Sequence, residues 1–132
     1  MIRYAVDAVV ALRLVREHRG PHERHRLVGP SVLRSHALSM LYREVRDGSL
    51  DEKAGLEQLE AIAGLKIRLL GDRVSRSTAW RLAKRLGWDD TTTAEYLAVA
   101  VLQADALVTE DEQLVAGANG LIPLASYADL LR

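Results

Sequence analysis

The chain has 132 residues, 48% hydrophobic and 27% charged, with no cysteine and a formal net charge of zero. That balance suits one compact domain, spanning 1–132, with a substantial core. It excludes a mainly disordered chain, a disulfide scaffold and a cysteine-ligated zinc site. No window approaches the ~18 apolar residues of a spanning helix. The first residues carry neither a basic n-region nor a long apolar h-region, so no signal peptide is expected and the expected location is the cytoplasm.

In chain order, Ile2 to Val6 is a short apolar run ended by Asp7. Ala8 to Val15 is apolar with helical period, and Gly20-Pro21 stops that helix. Arg26 to Gly29 is a second strand candidate. Pro30-Ser31 opens a long helix from Val32 to about Arg46, closed by Asp47-Gly48. Ser49 and Glu52 fit a capping box, starting a third helix expected to bury Leu56, Leu59 and Ile62. Lys66 to Leu70 alternates as a strand does. Asp72 to Leu86 is amphipathic and ends at Gly87. Thr92 and Glu95 fit a second capping box before the apolar helix Ala94 to Leu102. Ala106 to Thr109 reads as a buried strand, and Asp111 caps a short helix that Gly120 ends. Leu121 to Leu124 is the last strand, followed by a helix from about Tyr127. This alternation predicts an α/β sandwich with a mostly parallel sheet.

The charge is unevenly spread. Residues 1–48 hold nine Lys/Arg against five Asp/Glu, residues 49–88 eight against five, and residues 89–132 one against eight. A basic majority with an acidic last third is what a protein needs if it holds a cation with carboxylates and a polyanion with arginines. The same split also arises from solvated faces alone.

In open parallel sheets ligands bind at the carboxyl ends of the strands. Asp7 follows the first strand directly, Asp111 stands two residues past Thr109, and Asp89-Asp90 precede the helix leading to that strand. Carboxylates so grouped suit a hard divalent ion, Mg²⁺ or Mn²⁺, with water completing the shell. Such an ion activates water and neutralises charge on a phosphodiester. Each acid also has a plainer role. Asp111 is an ordinary N-cap, Asp89-Asp90 suit a helix start, and Glu95 belongs to its capping box. Other chemistries lack their residues: there is no Gly-rich run before a Lys and no Gly-x-Ser-x-Gly elbow. A receiver domain would need an Asp after the third strand, where Leu69-Leu70-Gly71 stands. His18, His22 and His25 read as solvated or RNA-facing loop residues.

Three segments in order resemble PIN domains, specifically the VapC-type ribonuclease toxins of bacterial toxin–antitoxin pairs. They are IRYAVDAVVAL with Asp7, LVGPSVLRSHALSMLYREV, and TTTAEYLAVAVLQADALVTEDEQL with Thr109 and Asp111. The resemblance covers essentially the whole chain. It implies a PIN-like three-layer α/β/α sandwich with a mostly parallel sheet of about five strands. It also implies Mg²⁺- or Mn²⁺-dependent RNA cleavage, a homodimer and a small antitoxin partner, with no membrane.

The chain departs from the family pattern at three places. Val9 stands where the family has Ser or Thr, His36 where it has Glu, and Thr93 where the third acid opens the diagnostic helix. Asp7, Thr109 and Asp111 remain. Glu44 lies eight residues past His36, ~12 Å along a helix at ~1.5 Å per residue, so it does not replace a ligand there and reads as a partly buried partner of an Arg. Asp90 is the better substitute, three residues before Thr93. The sequence therefore assigns Asp7, Asp111 and Asp90 to metal and catalysis, with Thr109, His36 and Thr93 in support. Two functions follow: a metal-dependent ribonuclease with an incomplete acidic site, or a catalytically impaired PIN domain that binds an antitoxin or RNA. Tyr42, Trp80 and Trp88 are more aromatic surface than one core of this size buries, which fits a homodimer through helix faces.

Overall fold

The computed structural model describes residues 1–132. Five strands form one sheet: β1 (Ile2–Val6), β2 (His25–Pro30), β3 (Arg68–Leu70), β4 (Ala106–Val108) and β5 (Leu124–Ala125). Their order is β3-β2-β1-β4-β5 and every neighbouring pair is parallel. Parallel neighbours need crossovers, which are right-handed almost without exception. The chain moves one way from β1 to β3, so α1 (Ala8–Arg16), α2 (Leu33–Arg46) and α3 (Glu52–Gly64) share one face. It then reverses past β1 to β4 and β5, which puts α4 (Arg73–Leu86), α5 (Thr92–Gln103) and α6 (Glu112–Ala118) on the other. The helices touch accordingly: α1, α2 and α3 pack together, as do α4 with α5 and α5 with α6. The expected three-layer α/β/α sandwich is the observed one. The terminal helix α7 (Tyr127–Leu131) returns to α1, where the Tyr127 hydroxyl donates to Glu17 and the Arg13 guanidinium lies 3.8 Å over the Tyr127 ring.

Sheets covered on both faces need strands apolar on both sides. Tyr4, Ala5, Val6, Leu27, Val28, Leu107 and Val108 are all buried. The apolar helix α5 supplies Ala94, Leu97, Ala98 and Ala100 to the same core, while α1 brings Ala11, Leu12 and Leu14 from the opposite layer. No helix is long and apolar enough to cross a membrane.

Local details correct the sequence reading at several points. The N-cap of α3 is Asp51, whose carboxylate accepts from the Ala54 N–H at 2.7 Å, and not Ser49. The Ser49 hydroxyl instead donates to Asp47 and to the Glu44 carbonyl, closing α2. The helix starts at Glu52, so the cap position falls on Asp51, whose carboxylate also suits the positive end of the helix. Nor does Thr92 cap α5. It is the first helical residue, and Asp90 accepts its N–H at 3.0 Å. In α3 Ile62 is buried and Leu59 half-buried, but Leu56 is exposed. His25 is no loop residue; it opens β2 and is buried against the edge of Tyr4. Trp88 is half-buried beside Gly117 of α6, where a Cβ would fall 2.7 Å from the indole, so only glycine admits the ring there.

Candidate functional site

The strand order reverses between β1 and β4, and in sheets of this kind a crevice opens outside the carboxyl ends at that point. Register sets what meets there. Val6 pairs with Val108, so the next residues, Asp7 and Thr109, stand side by side. The Thr109 hydroxyl donates to Asp7 Oδ2 at 2.5 Å and accepts from the Asp111 N–H at 3.1 Å. One threonine thereby ties the two carboxylate-bearing residues together.

Each aspartate is also fixed by the helix it starts. Asp7 Oδ1 accepts from Val10 N–H at 2.9 Å as the N-cap of α1, and Asp111 Oδ1 accepts from Leu114 N–H at 2.8 Å as the N-cap of α6. Capping and site-building are therefore the same geometry, because an N-cap carboxylate lies at the strand-to-helix corner. Val9, where the family pattern has a hydroxyl, lines the crevice as an apolar wall.

The crevice is a cavity of about 240 Å³ that includes Asp7, His36, Thr93, Tyr96, Glu110 and Asp111 in its lining. His36 Nδ1 and the Tyr96 hydroxyl are hydrogen-bonded at 2.9 Å, and Thr93 Oγ1 donates to Gln113 Oε1 at 3.3 Å. Asp7 is only 6% exposed. Burial pushes its carboxyl above the ordinary carboxylate value; the Thr109 hydroxyl and Val10 N–H oppose this, Asp111 adds to it and His36 opposes it. Burial also raises the Tyr96 phenol far above its usual value, with the charge of Asp7 adding to the effect, so Tyr96 stays neutral.

Five of the six residues singled out from the sequence are brought together here: Asp7, Asp111, Thr109, His36 and Thr93. Asp90 is not among the lining residues, and its Oδ1 holds the Thr92 N–H. Glu44 pairs with Arg16 at 2.5 Å on the α1–α2 face, as its helical position predicts. Sequence reasoning missed Tyr96, Glu110 and Gln113. Tyr96 sits in an apolar helix and its hydroxyl signals nothing without the tertiary contact. Glu110 was visible only as one more acid in Glu110-Asp111-Glu112. Its side chain is 83% exposed at the rim, with Arg13 Nη1 4.0 Å away.

The donor set tests the implied metal. Asp7 and Asp111 reach one cavity, and a carboxylate oxygen holding one hydrogen bond retains a second lone pair. A Mg²⁺ or Mn²⁺ ion bound by one or two carboxylates with water in the remaining positions matches this set. No group of three or more His, Asp or Glu side chains converges to hold an ion. The residues present fit a lightly held, largely hydrated ion and no tighter site.

No protein-family model and no curated protein matches the chain. Solved structures do. PAE2754 from Pyrobaculum aerophilum is 24% identical over 98% of this chain and 92% of its own, with a TM-score of 0.72. VapBC2 from Rickettsia felis, bound to a DNA fragment from its promoter, is 9% identical over 95% and 98%, with a TM-score of 0.64. VapBC-1 from nontypeable Haemophilus influenzae is 10% identical over 96% and 99%, with a TM-score of 0.59. Over nearly its full length the chain thus has the VapC-like PIN fold.

Proposed function

We propose that the chain, as one PIN domain, is a VapC-like ribonuclease that cleaves RNA phosphodiesters with Mg²⁺ or Mn²⁺. The observation that carries this is the Asp7–Thr109–Asp111 chain of hydrogen bonds at the mouth of the β1/β4 crevice. Asp7 and Asp111 would hold the ion. When bound, the ion supplies charge neutralisation at the scissile phosphate and activation of water. Thr109 keeps the Asp7 carboxylate oriented, and Tyr96 keeps one side of the His36 ring occupied, leaving Nε2 for a phosphate oxygen or a water. Glu110 at the rim adds a carboxylate within reach of solvent, and Asp90, on the α4–α5 loop outside the lining, would be a further carboxylate of the same reading.

A small antitoxin and a homodimer belong to the same reading. Tyr42, Leu38 and Leu56 are exposed together over a groove of about 430 Å³ between α2 and α3. That apolar face suits a protein partner. A monomer by light scattering at high micromolar concentration would remove the homodimer. A cytoplasmic location completes the proposal.

The second reading, a catalytically impaired module for antitoxin or RNA, is favoured by one observation: Thr93 and His36 face the cavity where the family pattern has acids. Cleavage of RNA by the purified protein with Mn²⁺, measured beside Asp7→Asn, separates the two. The ribonuclease reading expects activity that Asp7→Asn lowers by about 100-fold or more, the loss of several kcal/mol of transition-state stabilisation. No cleavage by either protein favours the module.

A further inference from the structure

We propose that the outward face of α4 is a binding platform for single-stranded RNA, separate from the acidic crevice. Between Arg73 and Trp88 the chain carries Arg73, Arg76, Arg81, Lys84 and Arg85 and no acid. At 100° per residue, Arg73, Arg76, Ser77, Trp80, Arg81 and Lys84 fall within an arc of about 140°. The opposite side of α4 holds its buried residues, Ser75, Thr78, Ala79, Leu82 and Ala83, and packs on α5. Trp80 is 69% exposed in the middle of the cationic stripe. It forms an open hollow of about 460 Å³ with Arg73, Arg76, Ser77 and Arg81.

None of the five cations of α4 makes an ion pair, whereas Arg13, Arg16, Arg19 and Arg132 all do. The one side-chain bond on the stripe from an arginine is Arg81 Nη2 to Thr78 Oγ1 at 3.1 Å. A row of unpaired cations repels itself, and only Lys84 and Arg85, in the last turn, suit the helix dipole. An exposed indole among them likewise adds nothing to the core. Together they match one chemistry: phosphates held by guanidinium groups while a base stacks on a flat aromatic face. An acidic protein surface would meet the charges but has no use for a bare ring set among arginines. A duplex would meet the charges but hides its base faces. The inference rests on the ribonuclease reading only for taking the strand to be RNA.

The test uses the full chain with Asp7→Asn, so that bound RNA stays intact, and an oligouridylate of about a dozen nucleotides as probe, within the ~4–16 nucleotides that such surfaces cover. Anisotropy of a labelled oligouridylate reads binding in every variant, and in the parent binding is expected to quench tryptophan emission, a quench that Trp80→Ala abolishes. Trp80→Ala is expected to weaken binding about tenfold or more. Arg76→Gln with Arg81→Gln is expected to lower the slope of log K against log salt by roughly 0.7 per lost phosphate contact. Circular dichroism should be unchanged, since all three side chains are solvent-facing. Binding by Trp80→Ala and by the double arginine variant within about twofold of the parent overturns the proposal. So does equal quenching by heparin, which has charge but no bases. A wild type that sediments as a dimer while Trp80→Ala sediments as a monomer also overturns it, by giving the face to a second copy. If wild type cleaves no RNA but Trp80 still reads the oligonucleotide, the platform stands and the ribonuclease reading falls. If cleavage is present and Trp80→Ala binds normally, the reverse holds.

Discussion

Two ionisable side chains are equally buried, at opposite ends of adjacent strands. Asp7, at the carboxyl end of β1, and His25, at the amino end of β2, are each 6% exposed. Asp7 is surrounded by polar partners: Val10 N–H, the Thr109 hydroxyl, and across the cavity Asp111 and His36. His25 lies between the rings of Tyr4 and His22, and its Nδ1 has no hydrogen-bond partner. Burial shifts both groups toward their neutral forms, raising the one pKa and lowering the other. Burial alone therefore does not mark a functional site. The difference is the open void on Asp7's side, into which Asp111, His36 and Thr93 also face, against the aromatic packing that closes over His25.

The largest expected effect sharpens the Asp7 end. Thr93 and His36 line the same cavity as Asp7 and Asp111, so Thr93→Asp with His36→Glu should add two charged oxygens to one ion. Mn²⁺ affinity by calorimetry should rise tenfold or more, and RNA cleavage with it, because affinity follows ligand charge. Thr93 is in the first turn of α5, where the dipole tolerates an acid. A folded double variant with unchanged Mn²⁺ affinity would show that the four side chains do not share a site.

Thr109→Val comes next. It removes the donor to Asp7 and the acceptor for the Asp111 N–H while keeping the shape. Denaturant titration should show a loss of about 1–3 kcal/mol, the cost of leaving the buried Asp7 carboxyl short of a donor, while the exposed Asp111 N–H turns to water. Mn²⁺ affinity should fall by about 10–100-fold, as for other residues that orient a ligand. Thr109→Ser should restore most of both.

The His25 end answers to pH instead of to metal. A histidine harder to protonate in the folded chain contributes stability above its unfolded value of ~6.5, and that contribution drains away as pH falls below it toward the lowered folded value. Melting temperature should therefore drop as pH is lowered through that window. His25→Phe should flatten the drop and leave Mn²⁺ binding untouched. A His25 variant with altered metal affinity would break the contrast between the two ends.

Glu44→Gln should do least. Its pair with Arg16 is about one-third exposed on either side, so the loss should stay below about 1 kcal/mol by chemical denaturation. A change in Mn²⁺ affinity would overturn the reading of Glu44 as a partner of Arg16 alone.

How much was legible follows the same division. The strands and most helices announced themselves through apolar runs and punctuation, as with Gly87 in the left-handed conformation that ends α4. Asp7, Thr109 and Asp111 could be found because a parallel sheet puts its chemistry just past its strands. Tyr96 could not, since α5 is apolar all round and only packing chooses which hydroxyl meets His36. His25 was misplaced because His22 and Arg24 beside it look like loop, whereas the register with Ile2 pulls it into β2. The caps at Ser49 and Thr92 failed because each helix starts elsewhere: α3 begins two residues later, at the Asp51 cap, and α5 one residue earlier, with Thr92 already in its first turn.

The notch at Gly117 has a bearing on the crevice some distance away. Trp88 seats in it from the end of α4, a few residues before Thr93, while Gly117 lies on α6, the helix that Asp111 begins. The indole thus packs against the far end of α6 from just ahead of α5, the two helices that carry Asp111 and Thr93. A methyl group at position 117 would lie 2.7 Å from the indole and force the ring or α6 to shift, a disturbance that begins at no residue lining the crevice.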